Sequence, residues 1–346
     1  MSRVAEPIER QSPGAFSRGR VMMLIVSAIA LYLVAPSLTE VMQAWPRLSN
    51  IAPGWFALML GAQIISFAAV WYLQRLAFRD AGWFELITSQ LASNAFSRVV
   101  PGGAAAGGAL QFRMLQVAGN DPAAAAAALT AMSLMTTASL FVLPVLSIPA
   151  IWAGMPVPNS IAKAAWIGAG LFVALGIVTV VLARSSRLLR LAGRTIERIH
   201  PSKPGTVALP ERLVAERDAV LSSIGRRWPQ AAAASVAKWL FDFYALLAAL
   251  VAVGDEHRVS LVLLAYVAGA VLTMVPITPG GLGFVEAGLT AALIASGVSP
   301  GRAVLATLAY RLVSYWLPIL AGLGAYVWFR IHFHTSMKWG TADPVS

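Results

Sequence analysis

Among the charged side chains that fall inside apolar stretches of this 346-residue sequence, Arg113, Asp242, Glu286 and Arg311 are the main candidates for function. Charges at membrane depth are rare, and they usually face a bundle interior or a water-filled cavity. Arginine can hold phosphate through two parallel hydrogen bonds, so this set is suited to binding an anionic group. A structural ion pair between Arg311 and one of the two carboxylates explains the same residues equally well, and both explanations predict burial.

The depth of the charges along their helices separates them further. Arg311 lies about ten residues into an apolar helix, which at about 1.5 Å per residue places it near the middle of a bilayer. Arg302 lies near the start of the same helix, so its side chain is expected to reach the membrane surface. Lys238 and Asp242 are four residues apart and share a helix face, so they are expected either to neutralise each other or to serve function.

Two apolar segments are interrupted by proline and glycine. The first, residues 83–119, contains Pro101-Gly102-Gly103, and the second, residues 259–297, contains Pro279-Gly280-Gly281. Proline removes a backbone donor and glycine weakens a helix, so a helix should stop and restart at each site. Irregular backbone is tolerated at membrane depth only where it is buried in protein or lines a wet cavity.

Polar side chains precede the first break, among them Asn94 and Arg98. If the chain restarts as a helix after Gly103, its free N–H groups and positive dipole end point into the bundle, an arrangement suited to phosphate. For Asn94, a hydrogen bond between packed helices is the alternative role.

The elements that must position these residues are membrane helices. The sequence is 58% hydrophobic and 12% charged, against roughly 25% charged residues in a soluble domain, which excludes a soluble globular enzyme. Spanning a bilayer takes about 20 apolar residues. The candidate spans are residues 21–34, 51–73, 122–150, 161–183, 230–253 and 301–329. We predict an all-α integral membrane protein with about six full spans plus two broken hairpins, which are re-entrant or paired half-helices.

The basic residues predict the orientation of the chain. There are 26 basic against 15 acidic residues, and ten of the basic ones lie in the loop 184–229, which the positive-inside rule places in the cytoplasm. The basic segment 1–20 is expected to be a cytoplasmic tail, as is 331–346, with residues 21–330 as a single domain in the cell membrane. The basic excess then indicates contact with anionic lipids and not with nucleic acid.

The two halves of the membrane domain share a pattern at an offset of 178 residues. At this offset Pro101-Gly102-Gly103 aligns with Pro279-Gly280-Gly281, and Gly119 and Pro122 align with Gly297 and Pro300. We predict repeat units at about 51–150 and 229–328. The single span between them makes the second unit enter from the opposite side, which would give an inverted repeat with a transporter-like site at its interface. Glycine and proline are common here, so two unrelated helix breaks are the alternative.

No catalytic pattern is found in the sequence. It has no cysteine, no His-Glu-x-x-His, no paired carboxylate cluster and no nucleotide-binding glycine motif. We expect neither enzymatic activity nor a cofactor or metal ion.

The motifs around the two breaks resemble a known family. Asn94 with Pro101-Gly102-Gly103 and Arg113, and Pro276-x-x-Pro279-Gly280-Gly281-Leu282-Gly283-x-x-Glu286, are similar to the transmembrane region of lysylphosphatidylglycerol synthases. The resemblance implies a flippase-like module that moves aminoacylated phospholipid between leaflets. Residues 108–111 lack the acidic residue that many members carry, which puts that polar pairing in doubt. Only about 16 residues follow the last span. Aminoacyl-lipid synthesis by this chain alone is therefore not expected.

These observations give one leading hypothesis and two alternatives. The leading one is that the protein binds and translocates the head group of an anionic phospholipid or polyprenyl-linked lipid. The first alternative is an accessory subunit that presents a lipid substrate to a glycosyltransferase or another lipid-modifying enzyme. The second is an ion-coupled small-solute transporter in which Asp242 and Glu286 are coupling residues. The candidate binding residues are Asn94, Arg98, Pro101, Gly102, Gly103, Arg113, Asp242, Pro279, Gly280, Gly281, Glu286 and Arg311.

Overall fold

The computed structural model describes most of the two predicted repeat units. The described residues are 46, 48–49, 51–78, 81–100, 103–143, 225–254, 258–273 and 279–333, with scattered positions between 170 and 218. The candidate span 21–34, nearly all of the span 161–183, most of the loop 184–229, the tail 1–20 and nearly all of 331–346 lie outside the described residues. So do Pro101, Gly102 and Pro276.

Every regular element in the described ranges is helical, in agreement with the predicted all-α class. The helices are α1 (Pro53–Ala77), α2 (Trp83–Val99), α3 (Gly103–Val117), α4 (Pro122–Val142), α5 (Trp228–Ala252), α6 (Val259–Leu272), α7 (Phe284–Ala295), α8 (Pro300–Arg311) and α9 (Leu317–His332). A 3₁₀ turn, Pro279–Gly281, precedes α7, and a π-helical turn, Leu312–Trp316, joins α8 to α9.

Four of the six candidate spans coincide with helices that are long and apolar enough to cross a bilayer. These helical stretches are Pro53–Ala77, Pro122–Leu140, Gly225–Ala252 and Pro300–His332. Helices α6 and α7 are shorter, at 14 and 12 residues, because the second break divides what would otherwise be one span. The predicted interruption of both hairpins is confirmed, since α2 and α3 are likewise separate helices.

The helix ends of the two halves have matching local geometry. Gly119 follows α3 with φ 92° and Gly297 follows α7 with φ 97°, and in both cases the next N–H bonds back to the carbonyl five residues earlier. This is the Schellman arrangement that glycine favours after a helix. Asp121 caps α4, since its carboxylate accepts from the Ala124 N–H at 2.7 Å. Ser299 occupies the N-cap position of α8 without a side-chain cap bond, so the predicted cap is only positional there.

The first helices of the two units pack against each other and run antiparallel. The Gln63 side chain of α1 meets Asp242 of α5, and the Ser66 hydroxyl, one turn later, donates to the Lys238 carbonyl at 2.8 Å, one turn earlier. Around this pair the core contains Met59 and residues from α5, α6 and α8. The C-terminal end of α1 therefore lies beside the N-terminal end of α5.

The crossing of α2 and α3 depends on a glycine. A Cβ atom at Gly107 would lie 2.6 Å from the Ser93 carbonyl oxygen and 2.7 Å from the Ser97 Cβ, whereas one at the neighbouring Gly108 would meet nothing within 4 Å. Membrane helices use such small residues to bring backbones close together.

We expect Gly107→Ala to lower the free energy of unfolding by about 1–3 kcal/mol, because the added methyl forces α2 and α3 apart. Gly108→Ala is the matched control, and it should be neutral or stabilising because alanine favours the helix. Thermal unfolding of the two purified variants in detergent measures the difference. Equal midpoints would contradict the close-packed crossing.

Candidate functional site

A cavity of about 510 Å³ lies between the two helix breaks. It is lined by residues from α1, α2, the start of α3, α5, α6, the 3₁₀ turn, α7, α8 and the turn between α8 and α9. Of the predicted site residues, the following line it: Asn94, Arg98, Gly103, Asp242, Gly280, Gly281 and Arg311. Both broken segments and both units therefore contribute to one site, which we call the central cavity.

The two breaks touch each other at Gly280. This residue has φ 61°, and a Cβ atom on it would lie 2.6 Å from the Arg98 carbonyl oxygen and overlap the Tyr315 hydroxyl. Glycine is required here both for the left-handed backbone and for the close approach. The end of α2 is thus held directly against the second Pro-Gly-Gly.

Arg98 is fixed by hydrogen bonds to the π-helical turn. Its Nη1 donates to the carbonyls of Ser314 at 2.6 Å and Tyr315 at 2.9 Å, and the Tyr315 hydroxyl donates back to the Arg98 carbonyl at 3.1 Å. The Ser314 carbonyl lacks its usual helical donor, because Pro318, four residues later, has no N–H. The guanidinium compensates for that loss, and its positive charge lies at the cavity wall.

Arg311 and Glu286 form a buried ion pair, as the sequence suggested for one of the two available carboxylates. Nε of Arg311 donates to Oε1 of Glu286 at 2.7 Å, and the two residues are 6% and 8% exposed. The guanidinium carbon also lies 4.2 Å from the centre of the Tyr315 ring. Oε2 of Glu286 and Nη2 of Arg311 are buried without a hydrogen bond, although Nη2 lies 2.7 Å from Oε1.

Asp242 forms no ion pair with Lys238, so of the two roles expected for these residues the local ion pair is not formed. Its Oδ1 accepts from the Gln63 amide, and its Oδ2 accepts from the hydroxyls of Tyr266 at 2.6 Å and Tyr310 at 3.0 Å. The Lys238 ammonium lies instead over the Trp239 ring, at 3.0 Å from its centre. Their side chains diverge, although four-residue spacing gives them a shared helix face, because neutral donors from three other helices surround the carboxylate.

The charges around the central cavity do not balance. Arg98, Lys238 and Arg311 carry three positive charges, against the two negative charges of Asp242 and Glu286. In the described part of the chain, Arg98 and Lys238 form no ion pair. A low-dielectric site with an excess cation favours an anionic ligand.

The start of α3 adds a further feature that suits an anion. Gly103 and Ala104 line the cavity, and the first turn of α3 contains no acidic residue, whereas Glu286 lies in the first turn of α7. The positive dipole end of α7 is therefore compensated and that of α3 is not. Asn94 lines the same cavity, and its Oδ1 atom is buried without a hydrogen-bond partner, so the alternative role of a hydrogen bond between helices is not seen for this atom.

Arg113 does not belong to this site. Its side chain is exposed, because the buried face of α3 is formed by Gly107, Leu110, Gln111 and Met114. The expectation that Arg113 is a buried charge is wrong, and it does not line the central cavity. Arg302 is exposed at the start of α8, as its depth predicted.

Several residues of the cavity were not predicted from the sequence. They are polar or aromatic side chains on otherwise apolar helices: Gln63, Ser66, Tyr266, Tyr310, Ser314 and Tyr315. Gln63 and Ser66 are one turn apart within a span, which is a usable signal for a helix face turned toward protein. The tyrosines give no such signal, because tyrosine also occurs at membrane surfaces.

Comparisons with known proteins agree with the motifs. The family model described as lysylphosphatidylglycerol synthase TM region matches residues 21–322, which include the whole central cavity. A UPF0104 membrane protein from Methanothermobacter thermautotrophicus is 26% identical over 91 residues. That match covers 26% of this chain and 27% of the relative, so the chain spans about a quarter of the length of the curated relative it matches.

Proposed function

Because the chain belongs to the lysylphosphatidylglycerol synthase transmembrane-region family, we propose that it binds an anionic lipid head group in the central cavity and moves the lipid between leaflets. The observation that carries this proposal is the excess positive charge of the cavity. The ligand class is an anionic phospholipid or a polyprenyl-linked lipid, since both present phosphate that arginine can bind.

The cavity has two features that suit a head group in transit. It lies at the contact of the two helix breaks, where Gly280 approaches the Arg98 carbonyl. Several of its polar groups lack strong partners, including the Asn94 Oδ1 atom and the Lys238 ammonium. These groups can exchange contacts with a passing phosphate, while the Arg311–Glu286 pair keeps the wall in place.

The proposed architecture is an inverted repeat of units 51–150 and 229–328. Supporting it are the antiparallel packing of α1 and α5, the matching helix ends at the 178-residue offset, and positive φ at both Gly103 and Gly281. In such a repeat the same fold is inserted in both directions, so corresponding conformations can open the site to either leaflet in turn.

We propose that the protein lies in the cell membrane with both termini in the cytoplasm. The end of α1 and the start of α5 lie at the same end of the antiparallel pair, and basic residues such as Arg75 and Arg227 flank both. That arrangement is consistent with one cytoplasmic surface under the positive-inside rule.

We expect translocation of labelled anionic lipid in reconstituted vesicles. The full chain is inserted into vesicles with a trace of phosphatidylglycerol carrying a fluorescent head group, and dithionite then bleaches the outer leaflet. Vesicles with protein should lose fluorescence well beyond the outer-leaflet fraction, and labelled phosphatidylcholine should move more slowly. The same extent of bleaching as in empty vesicles, for phosphatidylglycerol and for a polyprenyl phosphate, would exclude translocation.

The accessory-subunit hypothesis makes a different prediction in the same preparation. A lipid-presenting subunit should bind the labelled lipid without moving it, and a glycosyltransferase or another lipid-modifying enzyme should copurify with the chain. Binding without translocation would therefore replace the transport proposal with this alternative.

A further inference from the structure

A second cavity, of about 460 Å³, lies on the outer surface where α1 ends and α5 begins. Its walls are formed by Tyr72, Arg75, Leu76, Arg227 and Gln230. Among the residues that the structure describes, no carboxylate lines it. It thus combines two guanidinium groups with a phenol and an amide that can both donate hydrogen bonds, which is the donor set that a phosphate group requires.

The two arginines differ in how their side chains are held. The Arg75 Nη1 atom donates to the carbonyls of Ala81 at 2.7 Å and Phe78 at 3.3 Å, and its guanidinium lies 5.9 Å from the centre of the Trp83 ring. These contacts hold its charge near the cavity. Arg227 is exposed and lies immediately before α5, so its side chain is accessible to a ligand from the bilayer surface.

The lengths of α1 and α5 place this cavity at the depth of the membrane surface. Helices α1 and α5 have 25 residues each, about 37 Å at 1.5 Å per residue, while the hydrocarbon core is about 30 Å thick. Groups at the end of one helix and before the start of the other therefore lie at the boundary. Trp83 and Trp228 lie close in sequence to residues that line this cavity. They are 49% and 63% exposed, as is usual for tryptophans at a membrane surface.

An exposed apolar stripe on α1 leads to the cavity. Leu58, Ile65, Ala68 and Tyr72 are exposed and are spaced by seven, three and four residues, so they share one face of the helix. The next position on that face is Arg75. The residues of α1 that line the central cavity, such as Ser66 and Val70, lie on the opposite face, so the two cavities are separate.

We infer that this second cavity is a binding site for an anionic phospholipid of the surrounding leaflet. The phosphate lies between Arg75 and Arg227, Tyr72 and Gln230 donate to its oxygens, and an acyl chain lies along the stripe that ends at Tyr72. Charge complementarity and the alignment of an apolar face with a cationic end select a lipid over a soluble anion. The inference does not depend on transport through the central cavity.

The test is photolabelling of the full chain in vesicles of phosphatidylcholine. A trace phosphatidylglycerol with a diazirine on its head group is activated by light, and the labelled peptides are identified by mass spectrometry. We expect labelling around residues 72–76 and 227–230, and much less with the matching phosphatidylcholine probe. Arg227→Gln should reduce the phosphatidylglycerol labelling about fivefold, because one of the two guanidinium contacts to the anionic head group is lost.

Arg226→Gln is the matched control, because it removes the same charge from the neighbouring exposed residue, which does not line the cavity. It should change labelling less than twofold. Equal losses in the two variants would show diffuse attraction to a basic surface, and equal labelling by the two probes would show no head-group recognition. Either result overturns the inference. Vesicle translocation by Arg227→Gln, measured in parallel, separates failure of this site from failure of the proposed function.

Discussion

Arg311→Ala is expected to lower the free energy of unfolding by about 3–5 kcal/mol and to abolish lipid translocation. The substitution leaves the Glu286 carboxylate buried without its cation, because Glu286 is 8% exposed and its Oε2 has no hydrogen bond to compensate. It also removes the cation that lies 4.2 Å from the Tyr315 ring at the cavity wall. Unfolding in detergent and the dithionite assay measure the two effects on the same preparation.

Two controls make the Arg311 prediction specific. Arg302→Ala removes an exposed arginine from the start of the same helix, so its effect should be much smaller. The double variant Arg311→Leu/Glu286→Leu removes both charges together and should recover much of the stability, because apolar residues can replace a buried pair. It should not recover translocation, because Arg311 lines the central cavity and Glu286 does not, so the phosphate loses one of its guanidinium contacts although the net charge around the cavity is unchanged. Equal tolerance of alanine at Arg311 and Arg302 would contradict the buried pair.

Arg98→Gln is expected to reduce the rate of translocation at least tenfold. This loss should be larger than the accompanying decrease in the stability of the protein would explain. Arg98 is the cavity cation that also joins the first break to the second half of the chain, through the carbonyls of Ser314 and Tyr315. Glutamine removes the charge and replaces a hydrogen bond from a charged donor by a weaker neutral one, and loss of such a bond typically costs about 1.5–3 kcal/mol. Initial rates of dithionite-accessible lipid movement provide the measurement.

The conservative variant and an exposed control separate charge from position. Arg98→Lys keeps the charge but not the planar group that bonds two carbonyls at once, so it should retain more transport than glutamine while remaining less stable than the unmodified chain. Arg113→Gln removes an exposed arginine from the adjoining helix and should leave transport within twofold. A loss at Arg113 equal to that at Arg98 would place the functional cation outside the central cavity.

Arg98 and Arg311 share one aromatic residue, which connects these two predictions. The Tyr315 ring lies 5.1 Å from the Arg98 guanidinium and 4.2 Å from that of Arg311, and its hydroxyl reaches the Arg98 carbonyl. The π-helical turn that contains Tyr315 thus carries contacts to both cations. Because the two side chains meet on one ring, their substitutions should not be additive.

Local sequence was enough to locate the breaks, the helix ends and four described spans. Proline and glycine act on the backbone of their own helix, so Pro279-Gly280-Gly281 and Asp121-Pro122 mark helix ends wherever the helix packs. Mid-membrane depth likewise predicted burial for Arg311, because distance along a helix follows from residue count. These features depend on interactions within a few residues of the chain.

The partners of the buried charges depend on how the helices pack, and local sequence did not predict them. Lys238 and Asp242 satisfy the four-residue rule, yet Asp242 bonds to Gln63, Tyr266 and Tyr310, which are distant in sequence. The apolar residues of α3 lie on several faces, so the residue pattern does not identify the face that is buried. Arg113 lies on an exposed face. The rotation of a helix about its own axis depends on where small residues allow close packing, such as Gly107 against Ser93. That contact forms only when both helices are in place.

The sequence by itself therefore determined that this is a helical membrane protein with two interrupted hairpins, and which family it resembles. Those properties follow from apolar length and backbone chemistry, which act locally. Only the tertiary structure decided that Glu286, and not Asp242, pairs with Arg311, that Arg98 bonds to the opposite half of the chain, and that the cavity retains excess positive charge. Side chains from five or more helices meet there, and the distances between them depend on how the helices cross.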